Sequence, residues 1–77
     1  MTIAVKFFAS LREEIGKSEI NIETHKPMEI VTVWAQASNN ALLPDYMLIA
    51  VNRKYVDKNT LVQDGDEVAF FPPVTGG

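Results

Sequence analysis

Ile3, Val5 and Phe7 alternate with Ala4, Lys6 and Phe8 at the start of the chain. A period of two is the pattern of a strand with one buried face. The parity sends Ile3, Val5 and Phe7 to the core; Lys6 marks the other face as wet, although Phe8 shares it. In the run LREEI that follows, Ser10 is placed to cap a short helical stretch and Gly16 to end it. Ile20 and Ile22 then alternate with polar neighbours in SEINIE and predict a second strand, antiparallel to the first. Thr24 to Met28 reads as a connection, because Pro27 is excluded from a strand interior. From Glu29 the period changes: Ile30, Val33, Trp34 and Ala37 fall at i, i+3, i+4 and i+7, the stripe of an amphipathic helix. β-Branched Val31, Thr32 and Val33 weaken its intrinsic propensity, Trp34 is its largest core anchor, and Asn39-Asn40 and Pro44 bracket its end.

The apolar run MLIAVN, Met47 to Asn52, is too short for a buried helix and predicts a third strand. Asn52-Arg53-Lys54 turns the chain, and Tyr55-Val56 starts a short fourth strand. Asp64-Gly65-Asp66 is a turn signal. Glu67 to Phe71 is the last strand, with Val68 and Phe70 on one face and Ala69 and Phe71 on the other. Pro72-Pro73 ends it, since neither residue can donate a ladder hydrogen bond. One helix must then cover one face of one mixed sheet. The first and last strands are the most apolar and belong side by side in its centre. The expected class is α+β: a β-grasp, ubiquitin-like arrangement, a mixed sheet of about five strands with one main crossover helix. Residues 1–77 are expected to form a single domain, with 72–77 as a protruding flexible tail.

Composition narrows the function. A chain of 77 residues buries only about 60% of its unfolded surface. It has no cysteine, hence no disulfide and no thiolate metal site, which fits a reducing compartment. Seven basic residues against ten acidic ones give a formal net charge of -3, with no basic stripe for nucleic acid. No apolar run is long enough for a signal peptide or a membrane span. The expectation is a cytoplasmic protein, complete from its first residue, with neither nucleic acid nor membrane as partner. His25 is the only histidine, so no triad or multi-histidine metal site can form. Asp64 and Asp66 around Gly65 lack the further oxygen ligands of a calcium loop and read as a plain turn. Ser10 has no base nearby in sequence, and there is no glycine-rich phosphate loop. Independent catalysis is not expected, nor any cofactor bound by this chain.

The end of the chain is different. After the last strand, VTGG is expected to project beyond the fold on a stem stiffened by two prolines. From Pro72 onward the tail can reach roughly 20 Å if extended. Gly76-Gly77 has no side chains, so a narrow channel can admit it and its carboxylate is unshielded. Ordering each such residue costs about 1–2 kcal/mol, which a partner has to offset. A docking surface is therefore expected nearby.

The stretch DGDEVAFFPPVTGG, Asp64 to Gly77, closely resembles the end of the small subunits of molybdopterin synthase, the MoaD-type sulfur carriers of the MoaD/ThiS family. VKFFASLREEIG resembles that family's opening strand and helix, and Ala50 to Asn52 is similar to its third strand. The resemblance runs through the whole chain in element order and is specific at both ends. It implies a protein that does no chemistry alone. An ATP-dependent adenylating enzyme of the ubiquitin-activating kind (MoeB type) would activate the carboxylate of Gly77, at the end of the Gly76-Gly77 pair. Sulfur would replace the adenylate to give a C-terminal thiocarboxylate. The charged carrier would dock on the large synthase subunit (MoaE type) and feed Pro72, Pro73, Val74 and Thr75 toward its active site. There it would donate sulfur to the pyranopterin precursor, and two such transfers would build the dithiolene. The resemblance also implies a heterotetramer, two carriers on a dimer of large subunits.

Docking is expected to use the apolar residues that parity leaves on the wet face. Phe8 and Phe71 share that face on adjacent strands, and exposed aromatic clusters mark partner surfaces. Tyr55 matches a third position of the family's hydrophobic contact patch, where an aliphatic residue is expected. Three other readings stay open. A sulfur carrier for thiamine thiazole synthesis has the same fold and diglycine end, but the Phe-Phe-Pro-Pro run disfavours it. The others are a ubiquitin-like modifier joined to lysines and a plain binding module.

Overall fold

The computed structural model describes residues 2–39 and 41–72. The first strand, β1 (Thr2–Phe7), buries Ile3, Val5 and Phe7 and leaves Ala4 and Lys6 only partly covered, as its alternation predicts. A helix, α1 (Ser10–Ile15), leads into β2 (Glu19–Glu23), which runs antiparallel to β1 with Ile3 opposite Ile22 and Val5 opposite Ile20. Ser10 does not cap this helix: it is the first helical residue, Ala9 holds the cap position, and no side chain bonds the free amides. The corner is made by the backbone instead. The Leu11 amide donates to the Phe8 carbonyl at 3.2 Å around Ala9, which sits at φ 57, ψ -136. Those angles belong to the first central position of a type II′ turn, where glycine is the usual residue. Gly16 closes α1 as predicted, at φ 85, with its amide on the Arg12 carbonyl at 3.0 Å.

Met28 and Glu29, expected as connection and helix start, form a short strand, β3 (Met28–Glu29). The main helix, α2 (Ile30–Ala37), follows at once and buries Ile30, Val33 and Trp34, with Ala37 packed at the rim of the core. Its first amides are satisfied by distant carbonyls: Ile30 donates to Thr60 at 3.0 Å and Val31 to Lys58 at 3.2 Å. At the other end the Ser38 amide and hydroxyl both donate to the Trp34 carbonyl, at 2.8 and 2.6 Å. Asn39 then turns the chain at φ 61.

The third long strand, β4 (Leu48–Val51), and β5 (Lys54–Tyr55) form a hairpin around Asn52 and Arg53. Both loop residues have positive φ, 50 and 72, the signature of a type I′ turn. Glycine fills the second position best, and an L side chain there costs about 1–2 kcal/mol. A further short strand, β6 (Leu61–Val62), pairs antiparallel with β3, and β7 (Glu67–Phe71) completes the fold. Asn52 ties the hairpin loop to the start of β7. Its amide donates to the Glu67 carbonyl at 2.9 Å, its Oδ1 accepts from the Glu67 amide at 3.0 Å, and its Nδ2 donates to Asp66 Oδ1 at 3.0 Å. Asp66 Oδ2 accepts the Gln63 amide at 2.9 Å, and Gly65 bends at φ 89, so Asp64-Gly65-Asp66 is the turn that its residues predict.

The main sheet has five strands in the order β2-β1-β7-β4-β5. β1 and β7 lie side by side in its centre and run parallel, with Val5 opposite Val68 and Phe7 opposite Phe70. Trp34 of α2 closes this face. Its ring lies 4.9 Å from Phe70 and 6.4 Å from Phe7, edge-on to both, while Phe7 and Phe70 are 6.3 Å apart and nearly parallel. Ile3, Leu11, Ile22, Ile30, Val33, Met47, Ile49 and Val62 fill the remaining core.

Replacing Asn52 by alanine removes two side-chain hydrogen bonds that hold the hairpin loop to Asp66 and to Glu67 at the start of β7. The Asn52→Ala protein is expected to lose about 1–2 kcal/mol in urea unfolding, and an unchanged midpoint contradicts the role given to this side chain.

Candidate docking surface

The parity that fills the core also builds the opposite face of the sheet. Lys6 and Phe8 come from β1 and its exit, Glu67, Ala69 and Phe71 from β7, Ala50 from β4 and Tyr55 from β5, and together with Arg53 they line one open hollow of about 420 Å³. Register explains the grouping. Ala50 stands opposite Ala69 on one side and Tyr55 on the other. These two alanines form a low floor, and the rings stand around it. Phe71 is the middle ring, 6.1 Å from Phe8 at 83° and 5.8 Å from Tyr55 at 64°. Edge-to-face contacts of this kind contribute about 0.5–1.5 kcal/mol each and favour these ring orientations. Phe8 is 46% exposed and Tyr55 72% exposed, while Phe71 between them is half-buried. The rim is charged: Lys6 Nζ pairs with Glu67 Oε2 at 3.3 Å, and Arg53 stands among the other lining residues.

Phe8, Tyr55 and Phe71, singled out in the sequence, are thus brought together. Leu48 was missed. It sits opposite Phe71 in the β4–β7 ladder and is exposed. The signal was present in MLIAVN, where Leu48 shares the parity of Ala50, but it has meaning only once β4 is placed beside β7. Pro72 follows β7 directly and is partly buried. Pro73, Val74, Thr75, Gly76 and Gly77 lie outside the described residues. His25 and Asp64 sit elsewhere, beside Lys26, Pro27 and Gln63 around a separate hollow of about 280 Å³. Among the described residues, no group of three or more His, Cys, Asp or Glu side chains is placed to hold a metal ion. No helix among them is long and apolar enough to cross a membrane.

A mixed sheet with parallel central strands, one main helix on one face and an aromatic patch on the other defines a β-grasp protein of the ubiquitin-like class. The fold matches SAMP1 from Haloferax volcanii with a TM-score of 0.79 over 100% of both chains, at 22% identity. Within that class the chain belongs to the ThiS family, whose sequence pattern matches residues 5–77. It is 40% identical to the molybdopterin synthase sulfur carrier subunit of Escherichia coli K12, over 97% of this chain and 99% of that protein. It is also similar, with a TM-score of 0.64 and 27% identity over 100% of both chains, to a chain in the complex of subunits 1 and 2 of the molybdopterin-converting factor from Helicobacter pylori.

Phe70 and Phe71 are neighbours in sequence on opposite faces of β7, so truncating each separates core from surface. Phe70→Ala is expected to cost about 3–5 kcal/mol in chemical denaturation and Phe71→Ala about 1 kcal/mol. Equal losses contradict the assignment of Phe71 to an open face.

Proposed function

We propose that this chain is the sulfur-carrier small subunit of molybdopterin synthase, acting in molybdenum cofactor synthesis. The observation that carries the reading is the 40% identity to the E. coli carrier across nearly all of both proteins. The aromatic patch supports it, because Phe71 is the last residue of β7 and the tail begins at Pro72. A partner that covers Phe71 therefore holds the start of the tail as well.

Under this reading the reactive group is the main-chain carboxylate of Gly77. A carboxylate is a poor electrophile; adenylation by a partner enzyme of the ubiquitin-activating kind, using ATP, converts it to an acyl phosphate with a good leaving group. A sulfur nucleophile displaces the adenylate and leaves a thiocarboxylate, a soft and exposed nucleophile at neutral pH. Gly76 and Gly77 supply no side-chain bulk, so the terminus fits a narrow channel in the large subunit while Phe8, Tyr55 and Phe71 bind that subunit's surface. Docking replaces a bimolecular encounter with a held one, the proximity advantage of an intramolecular reaction. Sulfur then passes to the pyranopterin precursor, and two charged carriers on a dimer of large subunits would supply the pair of sulfurs in the dithiolene. The sulfur travels on the main chain, which accounts for a sulfur protein without cysteine. The cytoplasm is the compartment where this route has its ATP.

The test is a reconstituted transfer. Carrier charged by the activating enzyme is mixed with the large subunit and the pterin precursor, and dithiolene product is measured. The full chain is expected to give product and the protein lacking Gly77 none, while its unfolding free energy stays within about 0.5 kcal/mol of the parent. Product from the shortened protein, or a charged carrier that supplies only thiazole synthesis, contradicts the reading. In the same system Phe71→Ala is expected to weaken association with the large subunit about tenfold or more.

A further inference from the structure

Two cations and one anion line the hollow around Phe71, and only one of the cations is accounted for by the fold. Lys6 is neutralised by Glu67 at 3.3 Å. Arg53 is exposed and makes no ion pair among the described residues. Its backbone is also out of place for an arginine: φ is 72, at the position of a type I′ turn that glycine fills best. The neighbouring Asn52 also has positive φ, but its side chain returns two hydrogen bonds to β7 and to Asp66. Among the described residues, the Arg53 side chain returns nothing of the kind. A side chain kept in a strained backbone position, beside an open patch and without an ion pair or side-chain hydrogen bond among the described residues, points to something it meets outside.

We infer that Arg53 is a specificity-determining contact of the docking surface, and that the large subunit covering Phe71 presents a carboxylate to its guanidinium. This rests on the reading of the aromatic patch as the large subunit's landing site. Charge complementarity favours a carboxylate. The chain carries a formal net charge of -3, so an acidic group on a partner is repelled in general and is welcome only opposite a local, unneutralised cation. Guanidinium offers a planar fork that binds a carboxylate through two parallel bonds, which fixes orientation as well as attraction. The Asn52 bonds give that fork a fixed base, since they pin the loop to the start of the strand that ends in Phe71. The rings would supply the buried area and Arg53 the register in which they seat.

The experiment measures affinity of the full chain for the large subunit at about 0.05 and 0.5 M salt, alongside thermal unfolding of the free carrier. The informative variant is Arg53→Gly, because it removes the guanidinium and relieves the backbone strain together. It is expected to unfold at a higher temperature than the parent and yet bind about three- to tenfold more weakly at low salt, with a shallower salt dependence. Arg53→Lys keeps charge without the fork and falls between the two; Arg53→Glu slows association and weakens binding by more than about tenfold. Arg53→Gly binding as tightly as the parent at both salt concentrations overturns the inference, as does a loss of equal size at both. A defect confined to adenylation, with large-subunit affinity unchanged, also overturns it. Phe71→Ala serves as the reference. If it weakens binding and Arg53→Gly does not, the Arg53 contact is wrong and the landing site stands; if neither weakens binding, both are wrong.

Discussion

The parallel pairing of β1 with β7 under Trp34 is the constraint from which the other features follow. Phe7 opposite Phe70 and Val5 opposite Val68 form its seam. All four are buried, and the Trp34 ring closes over the two phenylalanines. Side chains alternate along a strand, so burying Val68 and Phe70 obliges Ala69 and Phe71 to face outward, and burying Val5 and Phe7 does the same for Lys6. A slip of one residue would exchange the two sets and turn the core onto the surface. The aromatic patch is therefore the reverse side of the core, held in register by the same interactions. The parallel direction has a second consequence. Parallel neighbours cannot be joined by a tight hairpin, so the chain between them must travel, and α2, β4 and β5 are built in that crossing.

The strained backbone positions lie close to this patch. Ala9, at φ 57, follows Phe8 directly, and Arg53, at φ 72, lines the hollow with Tyr55. A domain of this size has only a thin core, so two residues in conformations suited to glycine are a real fraction of its stability. The cost is borne where the chain turns sharply to bring a ring or a charge to the open face. The other non-glycine residues with positive φ among those described, Asn39 and Asn52, are of the type that tolerates this region, and Asn52 also offsets it with hydrogen bonds.

Long, regular alternation was readable before folding. The strands around Val5 and Val68 and the helical stripe of Ile30, Val33 and Trp34 each bury several positions in one period, the strand around Ile22 shows the alternation more weakly, and the strand around Ile49 was marked by a short apolar run; all five lie where those patterns predict. The pairing of the first and last strands followed from their apolar character alone. What was not readable depended on distant backbone. β3 and β6 have two residues each, too few to show any period, and exist because each completes the other. The start of α2 is satisfied by the carbonyls of Lys58 and Thr60, groups that every residue carries and no sequence pattern marks. Ser10 failed as a cap because the corner before α1 is closed by a backbone turn, so a good cap residue sits one position too late. Leu48 joined the patch through strand order, which local pattern does not contain.

The account rests on a main-chain terminus as the reactive group, presented by a scaffold whose side chains bind and orient. The most direct measurement is mass analysis of the C-terminal peptide of this protein isolated from cells that hold an activating enzyme and a sulfur source. The account predicts replacement of one oxygen by sulfur, confined to the peptide ending in Gly77. Sulfur found on any other residue, or a terminus that remains an ordinary carboxylate while molybdopterin is being made at its normal rate, would contradict it.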